Sequence, residues 1–300
     1  MLIKRVALLV TVTLLGAWTA AAQQTYEVTI DKPERYGNAA KGSSVSTFRL
    51  WVPEGKTPEY ILLFLSYNGR DDSIGDAEDI PNREFARQHN VALLTCRCER
   101  KDGGAGFDQI DQWAGKLILD AVKKLAAAAG RPDLAQAPLL VMGYGSPQVV
   151  SGLLGWKNDR VVAATSNTGI KFGAHGNENG PDNAYKTPFL IYENETPTNL
   201  GVWNDMFEKF NTARKRGALW CVAPKYTGNQ DCTVLSREFF ASVIAWRKAG
   251  AGDGWLGNWQ DKGIAPKGGR PANARDTVWL PDENFARAWQ RFVNEKNEKK

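Results

Sequence analysis

Histidine is almost missing from this 300-residue chain, occurring as His89 and His175 alone. Any chemistry that needs an imidazole base therefore has two places to look. Cysteine is sparse too. Cys96, Cys98, Cys221 and Cys232 are the four, and four thiols allow three pairings. Cys96 and Cys98 stand two apart at the end of a predicted strand, where side chains share a face but rarely bridge, so Cys221 and Cys232, bracketing a loop, are the expected disulfide. No long apolar stretch occurs after residue 22. Charge of one sign is massed only in the closing "NEKNEKK", and 38 Lys and Arg stand against 33 Asp and Glu. That balance offers nucleic acid no basic face.

What the first 22 residues do contain is a pattern in three parts: Lys4 and Arg5, an apolar run from Val6 to Leu15, and Ala20-Ala21-Ala22. This is the form of a cleavable export signal. The apolar part is shorter than the roughly 20 residues a membrane span requires, and no cysteine follows to carry a lipid. The expectation is a mature chain from Gln23, secreted or periplasmic, with no membrane attachment. Residues 23–300 then form a single domain, with 251–300 an irregular extension plus a final helix.

Within that span, "YEVTI" (26–30) and "TFRLWV" (47–52) alternate apolar and polar residues, as half-buried antiparallel strands do. The later runs "YILLFL" (60–65), "VALLTC" (91–96), "LLVM" (139–142), "VVAAT" (161–165), "FLIY" (189–192) and "LWCVA" (219–223) do not alternate. Such runs suit strands of a parallel sheet buried on both faces. Helical spacing appears between them. Ile110, Trp113, Leu117, Ala121 and Leu125 lead to Gly130; Trp203, Phe207 and Phe210 lead to Gly217; Phe239, Phe240, Val243 and Ile244 lead to Gly250. "PDENFARAWQRFV" closes the chain with a fourth stripe. Two antiparallel strands followed by six β/α alternations predict an α/β protein with an eight-stranded, mostly parallel sheet and helices on both faces.

This order, with "RLWVPEG" leading into "YILLFLSYNGRDD", then "REFARQHNVALLTC", "PDLAQAPLLVMGYG" and "ALWCVAPKYTGNQD" before "REFFASVIAWR", resembles the α/β-hydrolase fold. The similarity is to its secreted bacterial esterase-like branch, related to dienelactone hydrolases and polyhydroxybutyrate depolymerases. The resemblance implies a pocket with an oxyanion loop after the third strand, here Ser66, Tyr67 and Asn68, faced by Tyr144 and Ser146. It also implies a nucleophilic serine in the middle of G-x-S-x-G. Laid on this chain, the first glycine is Gly143 and the serine position is Gly145. Reading Ser146 as the nucleophile would lose both glycines of the motif. The strained turn costs an ordinary residue about 1–3 kcal/mol, and glycine adopts it almost freely. The acid position falls on Thr196, with Glu193 and Glu195 nearby, and the base position on Gly228 or Asn229. His89 belongs to the far edge of the sheet, and His175 lies in a Gly/Asn-rich loop.

The expectation is therefore a serine-esterase relative with a degenerate triad, catalytically inactive, keeping at most a pocket for a small ester or carbohydrate. No cofactor and no metal are called for: "HGNENGPDN" only loosely resembles a calcium loop. The alternative is an active esterase or carbohydrate acyl hydrolase using Ser146 with His175 and Asp182 or a glutamate of "ENE". Trp255 and Trp259, set among glycines, would be the residues of a glycan-binding surface, and Asn194 opens a glycosylation sequence.

Overall fold

The computed structural model describes residues 24–30, 43–66, 70–100, 114–144, 150, 154, 159–170, 172, 181–194, 200–225, 231–267 and 277–295. Nine strands make the main sheet: β1 (Gln24–Ile30), β2 (Ser43–Val52), β3 (Tyr60–Ser66), β4 (Arg70–Asp72), β5 (Val91–Arg100), β6 (Leu139–Tyr144), β7 (Val161–Ser166), β8 (Phe189–Asn194) and β9 (Trp220–Lys225). Eight of them lie in the order β1-β2-β5-β3-β6-β7-β8-β9. The pairings from β5 across to β9 are parallel, and β2 runs against both neighbours. This is the strand order of the α/β-hydrolase fold. The ninth strand was not foreseen. β5 overruns β3 by several residues, and three-residue β4 takes up its free edge at Arg97–Glu99.

The helices follow from the order of the strands. From β3 to β5 the chain steps one way along the sheet, and from β5 to β6 it steps the other. Right-handed crossovers then put α1 (Ile80–His89) on one face, and α2 (Gly115–Ala128) and α3 (Leu200–Lys215) on the other. Helix α4 (Cys232–Lys248) returns to the face of α1, where Arg237 donates to Asn82 Oδ1 at 3.0 Å. Helix α5 (Glu283–Asn294) packs beside α4. Each of α1, α4 and α5 begins at an aspartate, Asp79, Asp231 or Asp282, whose carboxylate accepts a first-turn N–H. Such caps each hold about 1 kcal/mol of helix stability. The inner strands are buried on both sides, with Ile61 to Phe64 and Leu139 to Val141 showing no exposed surface.

The fold departs from expectation at two further places. The stretch after residue 250, expected to be irregular, contains a second sheet of β10 (Trp255–Asn258), β11 (Ile264–Pro266) and β12 (Thr277–Leu280). Its glycines admit bulky neighbours: a Cβ on Gly257 would meet Trp289 Cζ3 at 2.8 Å. The Cys221–Cys232 disulfide does not form. Cys221 is the second residue of β9, fully buried, while Cys232 opens α4 beyond the far end of that strand. Four residues of strand rise roughly 13 Å, and bridged Cα atoms must lie within about 7 Å.

Candidate functional site

In an open parallel sheet, ligands bind beyond the carboxyl ends of adjacent strands from which the chain departs in opposite directions along the sheet. Here those strands are β3, which leads to β5, and β6, which leads to β7, and their last residues, Ser66 and Tyr144, are register partners. Ser66 and Tyr144 thus stand together at the expected crevice, each half-buried.

Gly143, in β6, lies very close to Val150. A Cβ built there would overlap Val150 Cγ2, and the Thr165 carbonyl oxygen would lie 3.4 Å away. Val150 is helical and fully buried. Strand and helix therefore come so close that only glycine fits at 143. The Gly143 carbonyl accepts the N–H of Asn167 at 3.2 Å, continuing the sheet past its last paired residue.

Tyr144 turns onto the face of α4. Its hydroxyl donates to Met142 Sδ at 3.2 Å, and the Thr233 hydroxyl is also bonded to it. Burial pushes its phenol up to about 12, against the opposing pull of Thr233, with Asp76 adding to the rise. Tyr192, fully buried, donates to the Cys232 carbonyl at 2.9 Å and shares a hydrogen bond with Ser236 Oγ at 3.0 Å. Two phenols thus tie the first turn of α4 to the sheet. Burial likewise pushes the Cys232 thiol up to about 11, with Lys225 pulling it back. Lys225, the last residue of β9, donates to the Asn167 carbonyl at 3.3 Å.

These shifts have a consequence for stability. Folded Tyr144 and Cys232 keep protons that the unfolded chain, with ordinary values of 10.0 and 9.0, has released. Their contribution is whole below pH 9.0 and is lost as the pH rises through about 11 and then about 12. Urea unfolding midpoints should accordingly fall over this range, and less steeply in Tyr144→Phe. Midpoints that stay level in the parent protein would contradict the burial of both groups.

On the opposite face, Glu193 is a carboxylate only 5 % exposed, near the end of β8. Gly169, at φ +81°, clears the space for it: a Cβ there would stand 2.5 Å from Glu193 Oε2. Ser166 Oγ and Thr168 Oγ1, close by along the chain, are buried hydroxyls with no hydrogen-bond partner among the described residues. The sequence showed Glu193 as a charge continuing an apolar run, without revealing that Gly169 makes room for it.

Tyr67, Asn68, Gly145, Ser146, His175, Thr196, Gly228 and Asn229 lie outside the described residues. His89 ends α1 one residue before β5 begins, at the amino edge of the sheet. Asp182 is at that edge as well, in a 3-10 turn ahead of β8, its carboxylate exposed and paired with Arg216. Asp182 is therefore not brought to the crevice, because six residues of β8 lie between them. Trp255 and Trp259 are partly buried against the core, Trp259 edge-on to Phe207 at 4.6 Å. Among the described residues there is no cluster of three or more His, Cys, Asp or Glu able to hold a metal ion, and no helix long and apolar enough to cross a membrane.

No protein-family model and no curated protein sequence matches this chain. Solved structures with a similar outline include three hydrolases. A fluorophosphonate-binding serine hydrolase of Staphylococcus aureus has a TM-score of 0.46 at 9% identity, over 75% of this chain and 98% of that one. An esterase of Pyrococcus furiosus has 0.45 at 11%, over 79% and 97%. An acetyl xylan esterase from Aspergillus awamori has 0.41 at 12%, over 62% and 80%. It is the strand order and direction, rather than overlaps of this size, that identify the chain as an α/β-hydrolase fold.

Proposed function

We propose that this protein is an exported α/β-hydrolase-fold protein that has lost acyl-transfer chemistry and keeps the crevice above β3 and β6 for a small ester or carbohydrate. The observation that supports it is the seat of Gly143 against Val150. With the first glycine of the motif anchored there, the nucleophile position two residues on is Gly145. A glycine has nothing to attack with, and covalent catalysis requires a nucleophile. Export rests on the form of residues 1–22, and mass analysis of the mature protein should find Gln23 at its start.

A serine-reactive fluorophosphonate should leave the purified protein unlabelled, and turnover of p-nitrophenyl acetate should equal that of Gly145→Ala. Stoichiometric labelling would defeat the proposal. One observation favours the second reading, an active enzyme using Ser146 and His175: the buried Glu193 could serve as its acid. In that case Ser146→Ala abolishes both labelling and turnover, which separates the two readings.

A further inference from the structure

The amino edge of the sheet, opposite the crevice, carries a second cluster. The 3-10 turn Asp182–Lys186 ahead of β8 and the turn after α3 ahead of β9 border an open surface depression of about 660 Å³, lined by Asp182, Tyr185, Lys186, Arg216, Gly217 and Leu219. Clefts and cavities of roughly 300–1,000 Å³ hold small organic ligands. Here the lining is cationic and hydrogen-bond donating. Arg216 Nη1 meets Asp182 Oδ1 at 3.1 Å, and its guanidinium lies 5.8 Å over the Tyr185 ring. A guanidinium has five N–H donors, and the Asp182 carboxylate and the Tyr185 hydroxyl engage only part of them.

The pair with Asp182 is a weak hold. Its two side chains are 52% and 88% exposed, and exposed ion pairs contribute about 0–1 kcal/mol. Lys186 adds a second cation on the same turn. Tyr185 is buried by its ring, edge-on to Trp220 at 5.3 Å, and its hydroxyl reaches Arg216. Burial raises that phenol above its ordinary value. Gly217, at φ +83°, has nothing among the described residues within 4 Å of a would-be Cβ, which leaves the depression open beside Arg216.

We infer that this depression binds a compact polar ligand through an oxyanion, a carboxylate or phosphate on a body of monosaccharide size, which displaces Asp182 from Arg216. Arg216 and Lys186 supply the charge, the Tyr185 hydroxyl donates a further hydrogen bond, and Leu219 meets the body of the ligand. The site lies at the other end of the strands from the crevice and does not depend on whether the crevice is catalytic.

The test is calorimetric titration of the full mature protein with glucuronate, glucose 6-phosphate and glucose as separate probes. Both anions should bind and glucose should not; whichever anion binds more tightly identifies the preferred group. Arg216→Gln, whose side chain is half-exposed and outside the core, should weaken binding about tenfold, the effect of one charge-assisted contact. Asp182→Asn should strengthen it by freeing the guanidinium. Glucose binding as well as glucuronate, anion affinity unchanged in Arg216→Gln, or weaker binding in Asp182→Asn would each overturn the assignment. Equal thermal unfolding of the variants and the parent confirms that the comparison is made between folded proteins.

Discussion

Trp289→Ala should cost the protein about 3–5 kcal/mol, the loss typical of emptying a buried tryptophan site. Trp289 shows no exposed surface, its indole N–H donates to the Val222 carbonyl at 2.9 Å, and Gly257 is pressed against its ring. The substitution removes that volume and leaves a buried β9 carbonyl with only the weak thiol donor of Cys221, 3.7 Å away. It also loosens α5 and the small sheet from the main one. Since a domain holds only about 5–15 kcal/mol in total, much of the cooperative stability should go. Equilibrium urea unfolding followed by circular dichroism measures it, with Trp289→Phe falling between, because the ring is largely replaced but the donor is not. A loss under about 1 kcal/mol would mean that the C-terminal extension is not built into the core.

Gly143→Ala should follow at about 1–3 kcal/mol, the range for forcing extra atoms into a packed site. The obstacle is specific: Val150 Cγ2, on a β-branched side chain with few ways to turn aside. Val150→Ala removes that methyl, so the double variant should be more stable than the sum of the two single effects predicts. A coupling of about 0.5–3 kcal/mol is expected for residues in contact. Strict additivity would show that 143 and 150 do not touch, and the register that puts Gly145 at the turn would lose its support.

How far the sequence revealed the molecule depended on where the information lay. Strands β3 and β5 to β9 were legible because burial on both faces demands unbroken apolar runs, a local signal. Their ends were less so: β5 continues to Arg100 with polar residues because β2 and β4 flank it. Strand β4, "RDD", has no apolar character and exists only because β5 offers it an edge. The small sheet β10–β12 is glycine-rich and owes its form to Trp279, Trp246 and Trp289, contacts made across long stretches of chain. Spacing along the chain suggested the Cys221–Cys232 pair, but height along the strand decides it. At the candidate site, the sequence showed the G-Y-G turn and the missing histidine. It could not show that Gly169 leaves room for Glu193, because that match joins β8 to the loop after β7 and lies within neither segment.

The C-terminal extension has a further consequence for solubility. Strand β9 is the last of the main sheet, so its outer backbone would offer an unfilled row of donors and acceptors to another molecule. The indole of Trp289 occupies the Val222 carbonyl, and β12 with α5 sits against the strand. The tail is in this sense a guard against filament growth, and a chain cut short after α4 would be prone to aggregate edge to edge.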